Sequence, residues 1–326
     1  AWADGDSSDK TIAIAIRPDG VNEWREDFTL TLSNEVGVVL DPGADTATVR
    51  ILDAGVKYLG FAPGFFKTSV YAIAPLPDGK VLIGGNIGAG IGSVAAIRHL
   101  ARLHADGSVD EGFLTGTGCN GPVWALAVQP DGKILVGGDF TSYNGTACNR
   151  LVRLASNGTV DAGFVTAMGS AANNVVRALA VEVGGTILVG GSLTSFNGTA
   201  VPGLVRLSAT GARDTANALN LGYSGGTIRT VLAQDDGKIM VGGFLYYGWT
   251  GSGWRSGVAR LNSDGTRDTG FDPDAGAHEA GDPSVLGTVY SVDRLPDGRY
   301  LVGGSFTAFD EHPASRVAMV EDDGSP

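Results

Sequence analysis

The sequence predicts an all-β fold: a five-bladed β-propeller preceded by a partial β-sandwich segment. Three observations predict it. A motif recurs five times, every copy carries a Gly-Gly pair inside a strand pattern, and the copies are spaced by about fifty residues, the length of a propeller blade. The copies read VYAIAPLPDGKVLIGG from Val70, VWALAVQPDGKILVGG from Val123, VRALAVEVGGTILVGG from Val176, IRTVLAQDDGKIMVGG from Ile228 and VYSVDRLPDGRYLVGG from Val289. Their Gly pairs fall at 84–85, 137–138, 190–191, 242–243 and 303–304, so the spacings are 53, 53, 52 and 61.

Each element follows from local chemistry. Apolar β-formers alternate with small residues, the period-two pattern of a strand. Asp-Gly and Asn-Gly stand between strands, where a tight turn needs positive φ. A Gly pair weakens an isolated strand, so it marks a place where another part of the chain packs closely. A further strand and turn follow as ARLHADG, VRLASNG, VRLSATG and ARLNSDG, while the fifth copy has AMVEDDG, with Met319 where the others have arginine. Gly-Phe closes three copies at 112–113, 163–164 and 270–271, and recurs ahead of the first at 60–61. Residues 56–61 are therefore expected to supply the last blade's outer strand and close the ring, removing its free edges. An array that continues with more blades is the alternative.

Composition narrows the function. The 326 residues hold 51 glycines, 43% apolar residues and a net charge of −12. An acidic balance excludes a nucleic-acid partner, which rewards clustered Lys and Arg. No apolar run reaches 18 residues, so no membrane insertion by helix is expected. The chain opens and closes within elements and reads as a piece of a longer protein with flanking domains. Cys119 and Cys148 are the only cysteines. Both fall in loops of the second copy, and a disulfide between them is expected in an exported protein, with two free thiols as the alternative. The sequons at Asn144, Asn157 and Asn197 read as Asn-Gly-Thr turn chemistry.

The repeat pattern V-x-A-[IL]-A-x-x-P-D-G-K-[IV]-L-[IV]-G-G, followed by R-L-x-x-D-G and G-F, resembles the delta-60 repeats of bacterial surface proteins over residues 56–326. Residues 1–55 lack the repeat. Their strand patterns KTIAIAI, EDFTLTLS and TATVRIL, with Glu23, Glu26 and Asp53 between and beside them, resemble the second half of a Calx-beta domain. That resemblance implies a β-sandwich and makes Glu23, Glu26 and Asp53 the calcium-ligand positions. Solvated acidic turns are the other reading. The two resemblances together imply a secreted or cell-surface protein.

Candidate site residues come from positions where the copies disagree. The second residue of each inner strand gives Tyr71, Trp124, Arg177, Arg229 and Tyr290, a ring able to stack on sugars or pair with carboxylates, or else to wedge between blades. Blade four adds Tyr246, Tyr247, Trp249 and Trp254 in a loop spanning 244–257. The segment FDPDAGAHEAGD carries Asp272, Asp274, His278, Glu279 and Asp282. With Asp310, Glu311 and His312 it forms a second candidate cation cluster, or a solvated acidic loop. Asp293 replaces an Ala or Leu of the other copies and is the one candidate funnel carboxylate, with Glu182 near the opposite turn. The preferred function is a non-catalytic binding or adhesion module for a glycan or protein ligand, with no cofactor other than calcium. A glycoside-hydrolase-type enzyme using Asp293 and a structural spacer are the alternatives.

Overall fold

A computed structural model describes residues 26–31, 46–51, 69–88, 98–113, 116–219, 221, 225–248, 254–310 and 312–326. The chain divides into two units, 1–60 and 61–326. In the first, β1 (Glu26–Thr31) and β2 (Thr46–Ile51) pair antiparallel, Glu26 opposite Ile51. They are the predicted EDFTLTLS and TATVRIL. The third predicted strand, at 10–16, lies outside the described residues.

In the second unit each copy forms a three-stranded antiparallel blade. Blade one has β3 (Val70–Pro75), β4 (Val81–Gly85) and β5 (Leu100–Leu103). Blade two has β6 (Val123–Val128), β7 (Ile134–Gly138), a hairpin of β8 (Ser142–Tyr143) and β9 (Thr146–Ala147), and β10 (Leu151–Leu154). A helix α1 (Ala162–Met168) leads to blade three. There β11 (Val176–Val181), β12 (Ile187–Gly191), β13 (Ser195–Phe196), β14 (Thr199–Ala200) and β15 (Leu204–Leu207) repeat the plan of blade two. Blade four has β16 (Gly225–Ala233), β17 (Ile239–Gly248) and β18 (Trp254–Leu261). A linking pair, β19 (Ala277–Glu279) and β20 (Asp282–Leu286), precedes blade five. Blade five has β21 (Val289–Arg294), β22 (Tyr300–Gly304), β23 (Ala308–Phe309), β24 (His312–Pro313) and β25 (Val317–Val320).

The two glycines of each pair do different work. A Cβ on the first would strike the first residue of the next blade's inner strand: Val123 for Gly84, Val176 for Gly137, Ile228 for Gly190 and Val289 for Gly242. These four apolar residues have no exposed surface. A Cβ on the second would strike a backbone carbonyl just ahead of its own blade's inner strand, such as Val175 for Gly191. The hydrophobic cores accordingly lie between successive sheets, one of them joining Leu82 and Leu100 of blade one to Val123 and Val136 of blade two.

Below these contacts runs a row of arginines, Arg102, Arg153, Arg206 and Arg260. Each Nη1 reaches the next blade: Arg102 donates to the Ser156 carbonyl, Arg153 to that of Ala209, Arg206 to that of Ser263 at 2.8 Å, and Arg260 to Asp322 Oδ1 at 2.7 Å. Three of them also lie over the Phe of the Gly-Phe pair, Arg102 on Phe113, Arg153 on Phe164 and Arg260 on Phe271. Gly-Phe is therefore a plug at the blade joint.

The expected ring closure is not found. Among the described residues blade one does not pack on blade five as successive blades pack on one another. A Cβ on Gly303 would meet only the Arg316 carbonyl, at 4.0 Å. Val70, the counterpart of the buried Val123, is 36% exposed, and Met319, in place of the latch arginine, is 42% exposed. The expected closing strand at 56–61 lies outside the described residues.

One local expectation also needs correction. The predicted loop 244–257 is largely a continuation of β17 and β18, with Tyr246 opposite Ser256 and Tyr247 opposite Arg255. Its aromatic content suits strands as well as an exposed loop. Helix α1 is capped by Asp161, which accepts from the Phe164 N–H at 3.2 Å, the usual role of an N-cap aspartate.

Candidate functional site

All five inner strands share one irregularity. The register slips between Val70 and Ala72, Val123 and Ala125, Val176 and Ala178, Ile228 and Thr230, and Val289 and Ser291. The extra residue in each β-bulge is Tyr71, Trp124, Arg177, Arg229 or Tyr290. A bulge re-aims the side chain it carries, and bulges recur beside functional sites. The structure gives the cause: the second Gly of the pair lets its own blade's backbone approach closely enough for the bulge to form.

The bulge residues meet in blade order. Tyr71 and Trp124 stack with ring centroids 4.0 Å apart and planes 2° from parallel. The Arg177 guanidinium lies 4.5 Å from the Trp124 centroid, and that of Arg229 lies 5.1 Å from the Tyr290 centroid. Burial, and then the nearby charge of Arg229, pull the Arg177 pKa below its ordinary value, while Asp139 opposes the shift. Tyr71 and Tyr290, at the ends, are exposed. The predicted ring residues thus form a strip, a row of stacked rings and guanidinium groups along successive inner strands.

The surrounding loops are held firmly. Asn144 and Asn197 have φ of 46° and precede Gly145 and Gly198 at 78° and 73°, the positive-φ pair of a tight hairpin turn. Their carboxamides also accept from the Gly118 and Ser170 N–H groups. Asn120 and Asn173 clip the same loops to Thr141 and Thr194. Asp139, directly after a Gly pair, is a charged neighbour of the strip that alignment of the copies did not single out.

The other candidates stand apart from the strip. Asp293 is exposed on β21, and its Oδ1 accepts from the Arg294 N–H at 2.9 Å. Glu182 is taken up structurally, accepting from Arg206 at 2.8 Å and from the Thr186 hydroxyl at 2.6 Å. In the acidic segment, Asp282 accepts from the Ser284 N–H and hydroxyl, and Asp272 from the Asp274 N–H. His278 is buried with Nδ1 2.9 Å from the Gly276 carbonyl oxygen, and Glu279 is exposed. Among the described residues no three of His, Cys, Asp and Glu converge as metal ligands. Asp272 and Asp282 of this segment each cap their own turn, and Glu311 lies outside the described residues. Glu23, Asp53 and Trp249 lie outside the described residues; Glu26 opens β1, Tyr247 lies in β17 and Trp254 opens β18.

Cys119 and Cys148 occupy one apolar cluster, as expected from their loops, but as free thiols rather than a disulfide. Both act as small buried apolar side chains. Burial pushes the Cys148 thiol up to about 11 and raises that of Cys119 further. No helix among the described residues is long and apolar enough to cross a membrane. Clefts do exist elsewhere, one of about 560 Å³ lined by Lys238, Arg260, Asp268 and Glu321 to Asp323. Its two cations are already paired, Lys238 with Asp268 at 3.0 Å and Arg260 with Asp322 at 2.7 Å, at the joint between blades four and five.

No curated protein matches the chain. Among solved structures, it is similar to a protein of unknown function from Bacteroides caccae, with 15% identity over 85% of this chain and 87% of that one and a TM-score of 0.42. It is also similar to virginiamycin B lyase from Staphylococcus aureus, with 14% identity, 78% and 70% coverage and a TM-score of 0.45. PorZ, a surface component of the type-IX secretion system of Porphyromonas gingivalis, matches at 13% identity over 86% of this chain and 36% of its own, with a TM-score of 0.45. A family model matches residues 76–113, 129–164, 185–216, 234–271 and 295–326. The chain belongs to that family, the beta-propeller domain of unknown function DUF5122.

Proposed function

We propose that the chain is a non-catalytic glycan-binding module whose ligand lies along the strip of bulge residues. One observation carries this reading: five successive bulges bring Tyr71, Trp124, Arg177, Arg229 and Tyr290 into one row of stacked rings and cations, with the rings of Tyr71 and Tyr290 exposed at its ends. Ring faces accept the apolar faces of sugars, and guanidinium groups hydrogen-bond their hydroxyl and acid oxygens. A rigid scaffold presenting such residues beside fixed loops is the usual construction of a binding site. The resemblance to repeats of bacterial surface proteins supports a secreted or surface location, where such a module serves adhesion.

A glycan array probed with the wild-type protein and with Tyr290→Ala, in the presence and absence of calcium, tests the reading. Wild type is expected on a restricted set of glycans, with Tyr290→Ala reduced about three- to tenfold on that set, the value of one aromatic stacking contact. An array that retains no wild-type protein, or retains both proteins equally, would refute it.

A further inference from the structure

Arg177 and Arg229 sit on the bulges of β11 and β16, inner strands of successive blades that pack on one another, and the charge of Arg229 opposes that of Arg177. Among the described residues neither has a carboxylate within ion-pair distance, and the Nε of each is buried without a hydrogen-bond partner. The acid acting on Arg177, Asp139, is exposed and also lies 3.8 Å from Arg150 Nε, so its charge is divided. This is unusual in a chain with 35 acidic and 23 basic residues. The latch arginines show what the same fold does when a cation is structural: Arg102, Arg153, Arg206 and Arg260 lie 2.8, 3.0, 2.8 and 2.7 Å from Asp110, Asp161, Glu182 and Asp268.

Desolvating two like charges side by side costs free energy unless an anion joins them. The exposed aromatic rings at the two ends of the strip, Tyr71 beyond Trp124 and Tyr290 beside Arg229, flank that anion with sugar-stacking surfaces. We infer that the ligand is an anionic glycan, its carboxylate or sulfate seated between Arg177 and Arg229 while adjoining sugar rings lie on the exposed rings of Tyr71 and Tyr290. This inference rests on the strip being the ligand site.

Calorimetric titration at physiological salt, on the whole chain, separates the possibilities. The probes are an oligogalacturonate for carboxylate, a sulfated dextran oligosaccharide for sulfate, a neutral cello-oligosaccharide, and poly-glutamate as an acidic peptide. One or both anionic saccharides should bind, and whichever is tighter names the acid group. Arg177→Gln and Arg229→Gln should each weaken that binding at least tenfold, the loss expected for one charge-assisted hydrogen bond. Arg177→Lys should recover only part of it, because a point charge lacks the planar fork. Unchanged melting temperatures will show that the variants are folded. Three results would overturn the inference: neutral saccharide binding as tight as anionic, poly-glutamate binding as tight as either saccharide, or anionic binding indifferent to both arginines. The first leaves the aromatic strip standing as a glycan site; no binding by any saccharide removes the strip itself.

Discussion

Arg153 and Arg177 lie on adjacent blades of the same repeat and have opposite circumstances. Arg153 is 7% exposed, paired with Asp161, stacked on Phe164 and bonded to the next blade's backbone. Arg177 is half-buried, stacked on Trp124, beside another arginine and without a carboxylate partner among the described residues. The first belongs to a column that recurs in four blades. The second belongs to a column that varies among Tyr, Trp and Arg over the five blades. A repeat keeps what joins its copies, and its freedom to vary lies where nothing has to be joined. The latch row and the bulge strip are those two cases, and the two differ in what their loss should do.

Acid should have the largest effect, because it strikes several latches together. Burial opposes ionisation of Asp110, Asp161 and Asp268, but their Lys, Arg and backbone N–H partners more than reverse it and hold all three below the ordinary 3.8. A depressed folded pKa gives stability that is complete above the ordinary value and disappears as pH falls through the depressed one. These groups therefore leave the melting temperature flat from pH 7 to about 5, with a steep fall below about pH 4. A steep loss already between pH 7 and 5 would assign acid sensitivity to other groups.

Arg153→Met should come next. It copies the substitution that Met319 makes naturally at the seam, but in a joint where Asp161 and the Ala209 carbonyl would lose their partner. Breaking a buried pair of this kind costs about 3 kcal/mol, readable by chemical denaturation. Met319→Arg, at an exposed position, should change stability by less than about 0.5 kcal/mol.

A smaller contrast comes from the Gly pairs. A Cβ on Gly137 falls 2.5 Å from Val176 Cγ1, whereas Gly303 has open space. Gly137→Val should cost about 2 kcal/mol through overpacking, and Gly303→Val close to nothing. Equal losses would mean that the seam closes onto Val70 in solution.

These contrasts mark how far the sequence can be read. Strands, turns and blade boundaries were legible because each rests on local chemistry: alternation, Asn-Gly turns, a Gly pair. The strip was legible as a column of disagreement. Its cause was hidden, since a bulge depends on which backbone approaches Gly85 or Gly138, and that is a tertiary fact. The Arg column was visible, yet its partners lie 8 residues away in Asp110 and more than 50 away in the Ser156 turn, beyond any local pattern. The acidic segment shows another limit: its density in sequence does not reveal that Asp272 and Asp282 each accept from their own turn. The seam was less legible: Gly60–Phe61 argued closure by analogy, while among the described residues Leu301, Val317 and Met319 make an exposed face with no neighbouring blade on it.

The smallest predicted effect is the most telling. If the strip serves a ligand, the double variant Arg177→Gln/Arg229→Gln removes two charges that repel each other and pair with no carboxylate, so its melting temperature without ligand should match wild type or exceed it slightly. If the five side chains are instead wedges that hold the blades apart, the double variant should lose as much stability as Arg153→Met. That single comparison of melting temperatures decides between a binding strip and a packing ring.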